Sequence, residues 1–125
     1  MKNILALLIA FVALSLVNSC SYDNEEHLYG IQICDTLSMS FESDIAPIIN
    51  EHCTSCHGGE TPSAGLSLMN YNELIVSAND DTNSGIINRI QRTEGEVGAM
   101  PTTYRLSHCQ IEYIKVWVNQ GALNN

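Results

Sequence analysis

From residue 41 to residue 122 the chain carries helical periods and no strand period, which predicts an all-α domain of about four short helices. Apolar residues recur three and four apart in stretches near 45–49, 71–75, 86–90 and 111–118. Segments rich in Gly, Pro, Asn and Asp separate those stretches.

Ahead of the domain, Met1-Lys2-Asn3 is a short basic start, and Ile4 to Val17 is a nearly unbroken apolar run of 14 residues. Such a run is too short to span a bilayer and fits the apolar region of a signal peptide. Asn18-Ser19-Cys20 resembles a bacterial lipobox. Residues 1–19 therefore read as a lipoprotein signal peptide and Cys20 as the lipid-bearing first mature residue; ordinary cleavage near Ser19, leaving a free thiol, is the alternative. Each buried CH₂ of a lipid chain contributes about 0.8 kcal/mol, so acylation anchors a chain without a spanning helix. The expected location is extracytoplasmic, on the periplasmic side or the cell surface of a bacterial membrane. Residues 20–40 form an acidic tether and lead-in that contains His27, and residues 41–122 form the domain.

The first helix is expected over 44–53, with Ser43 or Asp44 at its cap and Pro47 in its first turn, where the missing N–H costs least. Ile45, Ile48 and Ile49 make its buried stripe, and His52 points to the surface. Residues 58–65 are a loop that leads into Leu66-Ser67-Leu68. A second helix over 71–78 presents Tyr71, Leu74 and Ile75 on one face. Asn79 to Asn83 is a solvated turn, because an EF-hand would need Gly at its sixth position and Glu at its twelfth. Ser84 is placed to cap a third helix, with Ile86, Ile87 and Ile90 inward and Arg89 and Arg92 outward. The last helix opens on Ser107-His108-Cys109-Gln110, a capping box, buries Ile111, Ile114, Trp117 and Val118, and ends near Gly121. Trp117 is expected against the first helix and His108 in solvent.

The chemistry lies in Cys53-Thr54-Ser55-Cys56-His57. Cys-x-x-Cys-His is the attachment pattern of haem c: thiols one turn apart reach neighbouring edges of one porphyrin, and the following imidazole takes one face of the iron. Cys53, Cys56 and His57 are thus the candidate haem-binding residues, with His57 as an iron ligand. Met100-Pro101 lies in a polar loop, with Met100 43 residues after His57. Met100 is the candidate sixth ligand, and plain apolar packing is the alternative. Either Arg89 or Arg92 is available to pair with a haem propionate. Leu66 and Leu68 are expected near the haem.

Five cysteines are present: Cys20, Cys34, Cys53, Cys56 and Cys109. With one assigned to lipid and two to haem, Cys34 and Cys109 remain as an even pair in an oxidising compartment. They either bridge, closing a loop worth about 4 kcal/mol in the chain-entropy model, or stay as two buried thiols. The 14 acidic and 5 basic side chains exclude a nucleic-acid partner, since no basic stripe exists to neutralise phosphates. A redox partner protein with a positive docking face fits the charge, and solubility alone is the simpler account.

Phe41-(x)3-Ile45-x-Pro47-Ile48-Ile49-(x)3-Cys53-x-x-Cys56-His57-Gly58, Gly65-Leu66-x-Leu68, Ile86-Ile87-x-Arg89-Ile90, Met100-Pro101 and Leu106-Ser107-(x)3-Ile111-(x)2-Ile114-(x)2-Trp117-Val118-x-x-Gly121-Ala122 resemble the planctomycete-type cytochrome c domain, a branch of the small class I cytochromes c. The resemblance covers residues 41–122 and implies a single-haem helical fold with crossed terminal helices, His57 and Met100 as axial ligands, and electron transfer rather than catalysis. Many relatives carry two prolines after the methionine; here Thr102 takes the second place. The Cys34 and Cys109 pair looks like an addition found in a subset of lipoprotein relatives.

Three other readings compete for the same residues. A thiol–disulfide oxidoreductase needs a βαβ pattern that helical periods do not supply. A zinc site would use Cys53, Cys56 and one or two histidines. A haem sensor or peroxidase-like enzyme would leave the sixth iron position open or displaceable.

Overall fold

A computed structural model describes residues 33–125. The signal peptide, Cys20 and His27 lie outside the described residues. Among the described residues the regular structure is helical, with no strand, and no helix is long and apolar enough to cross a membrane.

Five α-helices follow in chain order: α1 (Ala46–His52), α2 (Thr54–His57), α3 (Tyr71–Ala78), α4 (Ile86–Ile90) and α5 (His108–Asn119). A π-helical turn, Phe41–Ile45, runs directly into α1, and a 3₁₀ turn, Ser63–Gly65, lies between α2 and α3. Most of these helices are too short to persist alone, so tertiary packing holds them.

The helix expected over 44–53 starts earlier and from a different residue. Ser40, not Ser43 or Asp44, is the cap: its hydroxyl accepts from Ser43 N, and its own N–H donates to Asp44 Oδ2 at 2.8 Å. The π turn is the reason. Its wide first loop, with Ile45 N reaching Ser40 O at 3.2 Å, moves the reciprocal carboxylate one place further along than in an α-helical capping box. Pro47 falls in the first turn of α1 as expected, and Ile45, Ile48 and Ile49 are buried.

The second and last helices match their expected bounds closely. Asn70 caps α3, its Oδ1 accepting from Glu73 N at 3.2 Å. Ser107 and Gln110 complete both halves of the capping box on α5. The third helix departs: Gly85, not Ser84, stands at its N-cap. Gly85 is pressed against the Asp80 carbonyl, where any Cβ would overlap backbone, while Ser84 N donates to Thr82 Oγ1 in the preceding turn.

The core joins both ends of the domain. Trp117 and Ile114 on α5 are fully buried with Ile45 and with Leu74 of α3. The Trp117 ring stands 5.9 Å from Phe41 and 6.4 Å from Tyr71, whose own rings meet edge to face at 5.2 Å. Trp117 therefore packs on the turn leading into α1. Packing extends beyond residues 41–122 at both ends. Met39 is buried and its N–H donates to Gln120 Oε1, while Asn125 O accepts from Glu42 N and Ser40 Oγ.

The Cys34 and Cys109 sulfurs are at bonding distance, with Cα atoms 5.3 Å apart and a sequence separation of 75. The bridge fixes the lead-in to the first turn of α5. A Cys34→Ser/Cys109→Ser chain should lose about 4 kcal/mol of stability in urea unfolding relative to the oxidised native chain. An unchanged urea midpoint would show that the bridge restricts little in the unfolded chain.

Candidate functional site

A single helical turn carries the motif. Cys53 is at once the C-cap of α1, its N–H donating to Ile49 O at 2.9 Å, and the residue from which α2 starts. Cys56 N and His57 N both donate back to Cys53 O, at 3.2 and 2.8 Å. Thr54 Oγ1 donates to Asn50 O, joining the two short helices across the junction. The thiols differ in setting: Cys53 is half-buried and Cys56 exposed. Burial pushes the Cys53 thiol up to about 11.

His57 is oriented by the chain that returns from the 3₁₀ turn. Its Nδ1 lies 3.1 Å from Leu66 O, and its carbonyl accepts from Leu68 N at 2.8 Å. A carbonyl oxygen only accepts, so Nδ1 carries the proton and Nε2 keeps its lone pair. That tautomer is the one a metal ligand needs. The returning segment is itself held by α3, because the Glu73 carboxylate accepts from Ser67 Oγ and from Met69 N at 2.9 Å. The Ser67 hydroxyl and then the Met69 N–H keep the Glu73 carboxyl below its ordinary value of 4.5.

These residues face a cleft of about 360 Å³ that opens to solvent on one side. Its volume is in the range of small-molecule and cofactor sites. Cys53, Cys56 and His57 line it together with Leu66, Leu68, Ile86, Ile90 and Met100. All four candidate haem-binding residues are thus brought to one cavity, whose lining surface is mainly apolar although Ser, Thr, His, Tyr and Arg side chains also border it. Leu66 and Leu68, expected near a haem, line this cleft.

Met100 reaches the cleft on a loop fixed by arginines. Met100 N donates to Arg89 O at 3.0 Å, and the Arg89 guanidinium donates to Gly98 O at 3.2 Å. Arg92 donates to Val97 O and to Asn83 O. Gly98 has φ +80, and a Cβ there would run into both guanidinium groups. The arginines are therefore turned inward onto loop carbonyls rather than outward. Arg89 also lines the cleft, whereas Arg92 faces Asn83, Asn88 and Glu96 away from it. The Met100–Pro101 peptide is cis.

Sequence reasoning missed two residues of the cleft. His52 was expected at the surface, but its side chain is only 15% exposed and lines the cavity. Its rings and hydrogen bonds explain this: Nδ1 meets Tyr104 Oη at 3.0 Å and Nε2 meets the Gln110 amide nitrogen at 2.9 Å. Tyr104, the second missed residue, follows Met100 on the same segment. Its only signal was an aromatic in a polar run. His108 is exposed, as expected. Comparison with known protein families, with characterised proteins and with solved structures returned no match.

Two outcomes follow from these environments. In the chain before any cofactor is attached, brief alkylation should mark exposed Cys56 well before Cys53, and Cys53 labelling should quicken as pH rises towards 11. Peptide mass spectrometry reads this, and equal rates at pH 8 would contradict the buried setting of Cys53. Because the folded Glu73 carboxyl titrates below its unfolded value, the tie it makes to Ser67 and Met69 is complete above pH 4.5 and is lost as pH falls through the lowered value. Glu73→Gln should therefore flatten the acid side of a plot of Tm against pH; superimposable acid limbs would remove Glu73 from the account.

Proposed function

We propose that this domain is a single-haem c-type cytochrome of the class I type, which passes one electron between redox partner proteins from an extracytoplasmic position. One observation carries the reading: two thiols, an imidazole with its Nε2 lone pair free of the backbone, and a thioether all line one cleft with a mainly apolar surface. That donor set fits haem c. The sulfurs of Cys53 and Cys56 would hold the porphyrin covalently, and His57 Nε2 and Met100 Sδ would be the chain's ligands to the iron. When bound, the haem supplies a one-electron iron couple.

The remaining tasks belong to the chain itself. The Leu66 carbonyl keeps the His57 proton on Nδ1, which leaves Nε2 for the metal and makes it a better donor. Leu68, Ile86 and Ile90 keep water from the inner cleft. A methionine and a histidine as the iron's ligands would favour the reduced state relative to two nitrogen ligands and would leave no vacancy for substrate. The acidic composition suits a partner that docks through a positive face. In this proposal the lipid on Cys20 keeps the domain at a bacterial membrane, where such partners meet it.

The visible spectrum of the mature protein, oxidised and reduced, tests the reading. Haem c absorption that survives acid–acetone extraction is expected, because the attachment is covalent, and a colourless protein would end the proposal. Met100→Ala should admit carbon monoxide to the reduced protein, while the native protein excludes it. Carbon monoxide binding by the native protein would instead favour the sensor or peroxidase-like reading.

A further inference from the structure

Met100 rides on a segment with few apolar anchors. Thr93, Glu94, Glu96 and Val97 are exposed ahead of it, and Thr102, Thr103 and Tyr104 after it. Its position therefore rests on hydrogen bonds at its flanks. Arg89 and Arg92 hold the upstream flank by its carbonyls. The downstream flank is held through Tyr104, whose hydroxyl meets His52 Nδ1 at 3.0 Å and whose ring stands 5.8 Å from the imidazole.

The direction of that bond can be fixed from α5. Gln110 Oε1 accepts from Ser107 N at 2.9 Å to complete the capping box, so the Gln110 NH₂ must be the group facing His52. An NH₂ only donates, so His52 Nε2 accepts from it at 2.9 Å. Nδ1 then carries the proton and donates to Tyr104 Oη. The Glu51 carboxylate, 3.7 Å from Nε2, is beyond hydrogen-bond length and does not compete. A helix cap thus sets an amide, the amide sets an imidazole, and the imidazole holds a tyrosine four residues past Met100.

We propose that His52 is a positioning residue for the sixth ligand, fastening Tyr104 to the helix next to Cys53 and so keeping the Met100 segment seated at the cleft. The proposal rests on the haem reading above. In this role His52 acts through Tyr104 and the chain between Tyr104 and Met100.

Titrating the oxidised holoprotein with imidazole, followed by its visible spectrum, measures how readily Met100 is displaced. Tyr104→Phe removes one hydroxyl from an exposed ring, and His52→Phe keeps a ring while removing both polar atoms. Each should bind imidazole about fivefold more tightly than the native protein, the scale of one net hydrogen bond. Adding Tyr104→Phe to His52→Phe should change nothing further, since both remove the same bond. Native affinity in Tyr104→Phe, or additive effects in the double variant, would overturn the role of His52 even if the haem reading stands. If the native protein already binds imidazole as tightly as Met100→Ala does, Met100 is not the ligand, and the axial assignment falls together with this proposal. Circular dichroism of each variant checks that the helices are intact.

Discussion

One turn of helix has to present two thiols and an imidazole to the same cleft, and the rest of the domain answers to that constraint. A four-residue helix and its N-cap cannot hold such an arrangement by propensity, because the first turn of any helix is the costly one. Here the turn is fixed from both sides. From behind, α1 ends on Cys53 and passes its last hydrogen bonds into α2 through Cys53 O and Thr54 Oγ1. From in front, the 66–68 segment closes on His57 at Nδ1 and at its carbonyl. The imidazole is thereby given a tautomer as well as a direction, and the Glu73 carboxylate on α3 holds the segment that does this.

The core explains why so little helix suffices. Phe41, Tyr71 and Trp117 come from the entry to α1, the start of α3 and the end of α5, and they meet as three rings. Aromatic groups bury large areas and hold one another at defined angles, so this contact sets three elements at once. Polar atoms on these rings are satisfied by backbone near the end of the domain: Trp117 Nε1 donates to Leu123 O and Tyr71 Oη to Ala122 O. The π turn belongs to the same arrangement, because it carries Phe41 towards Trp117 before the α-helical pitch begins. Met39 and Asn125 then close over the seam from either end.

Features decided within a few residues were legible in the sequence. The bounds of α3 follow from a short apolar period, and the capping box on α5 from Ser107 and Gln110 alone. Cys53, Cys56, His57 and Met100 were named from pattern, and the fold brings them to one cleft. What escaped reading depends on residues distant in sequence. Ser40 caps the first helix only because a π turn lengthens its opening loop. Gly85 displaces Ser84 because Asp80 comes back against it. Arg89 and Arg92 look like surface charges on a helical wheel, but the loop at 97–98 folds over them and offers its carbonyls. His52 looks exposed on the same grounds until Tyr104, 52 residues later, covers it. Periodicity states which face of a helix is apolar; it does not state which polar chain will lie on the other face.

The same loop explains where the positive charge of this acidic domain has gone. Arg89, Arg92 and Arg105 donate to backbone carbonyls at Gly98, at Val97 and Asn83, and at Gln91, and Lys115 pairs with Glu112 at 2.6 Å. Arg89, Arg92 and Lys115 are also partly covered. Guanidinium groups suit this use because several fixed donors can bind two carbonyls from one side chain, as Arg92 does. Carboxylates are tied as well, with Asp44, Glu73, Asp80 and Glu96 accepting from backbone N–H groups, while Glu42, Glu51, Glu60 and Asp81 are exposed. Two of the few cations, Arg89 and Arg92, are thus used on the polar loop that carries Met100, while several carboxylates stay on the surface. The consequence is a division of labour. Arg89 and Arg92 position the segment that carries Met100, and the exposed carboxylates give the surface a negative field.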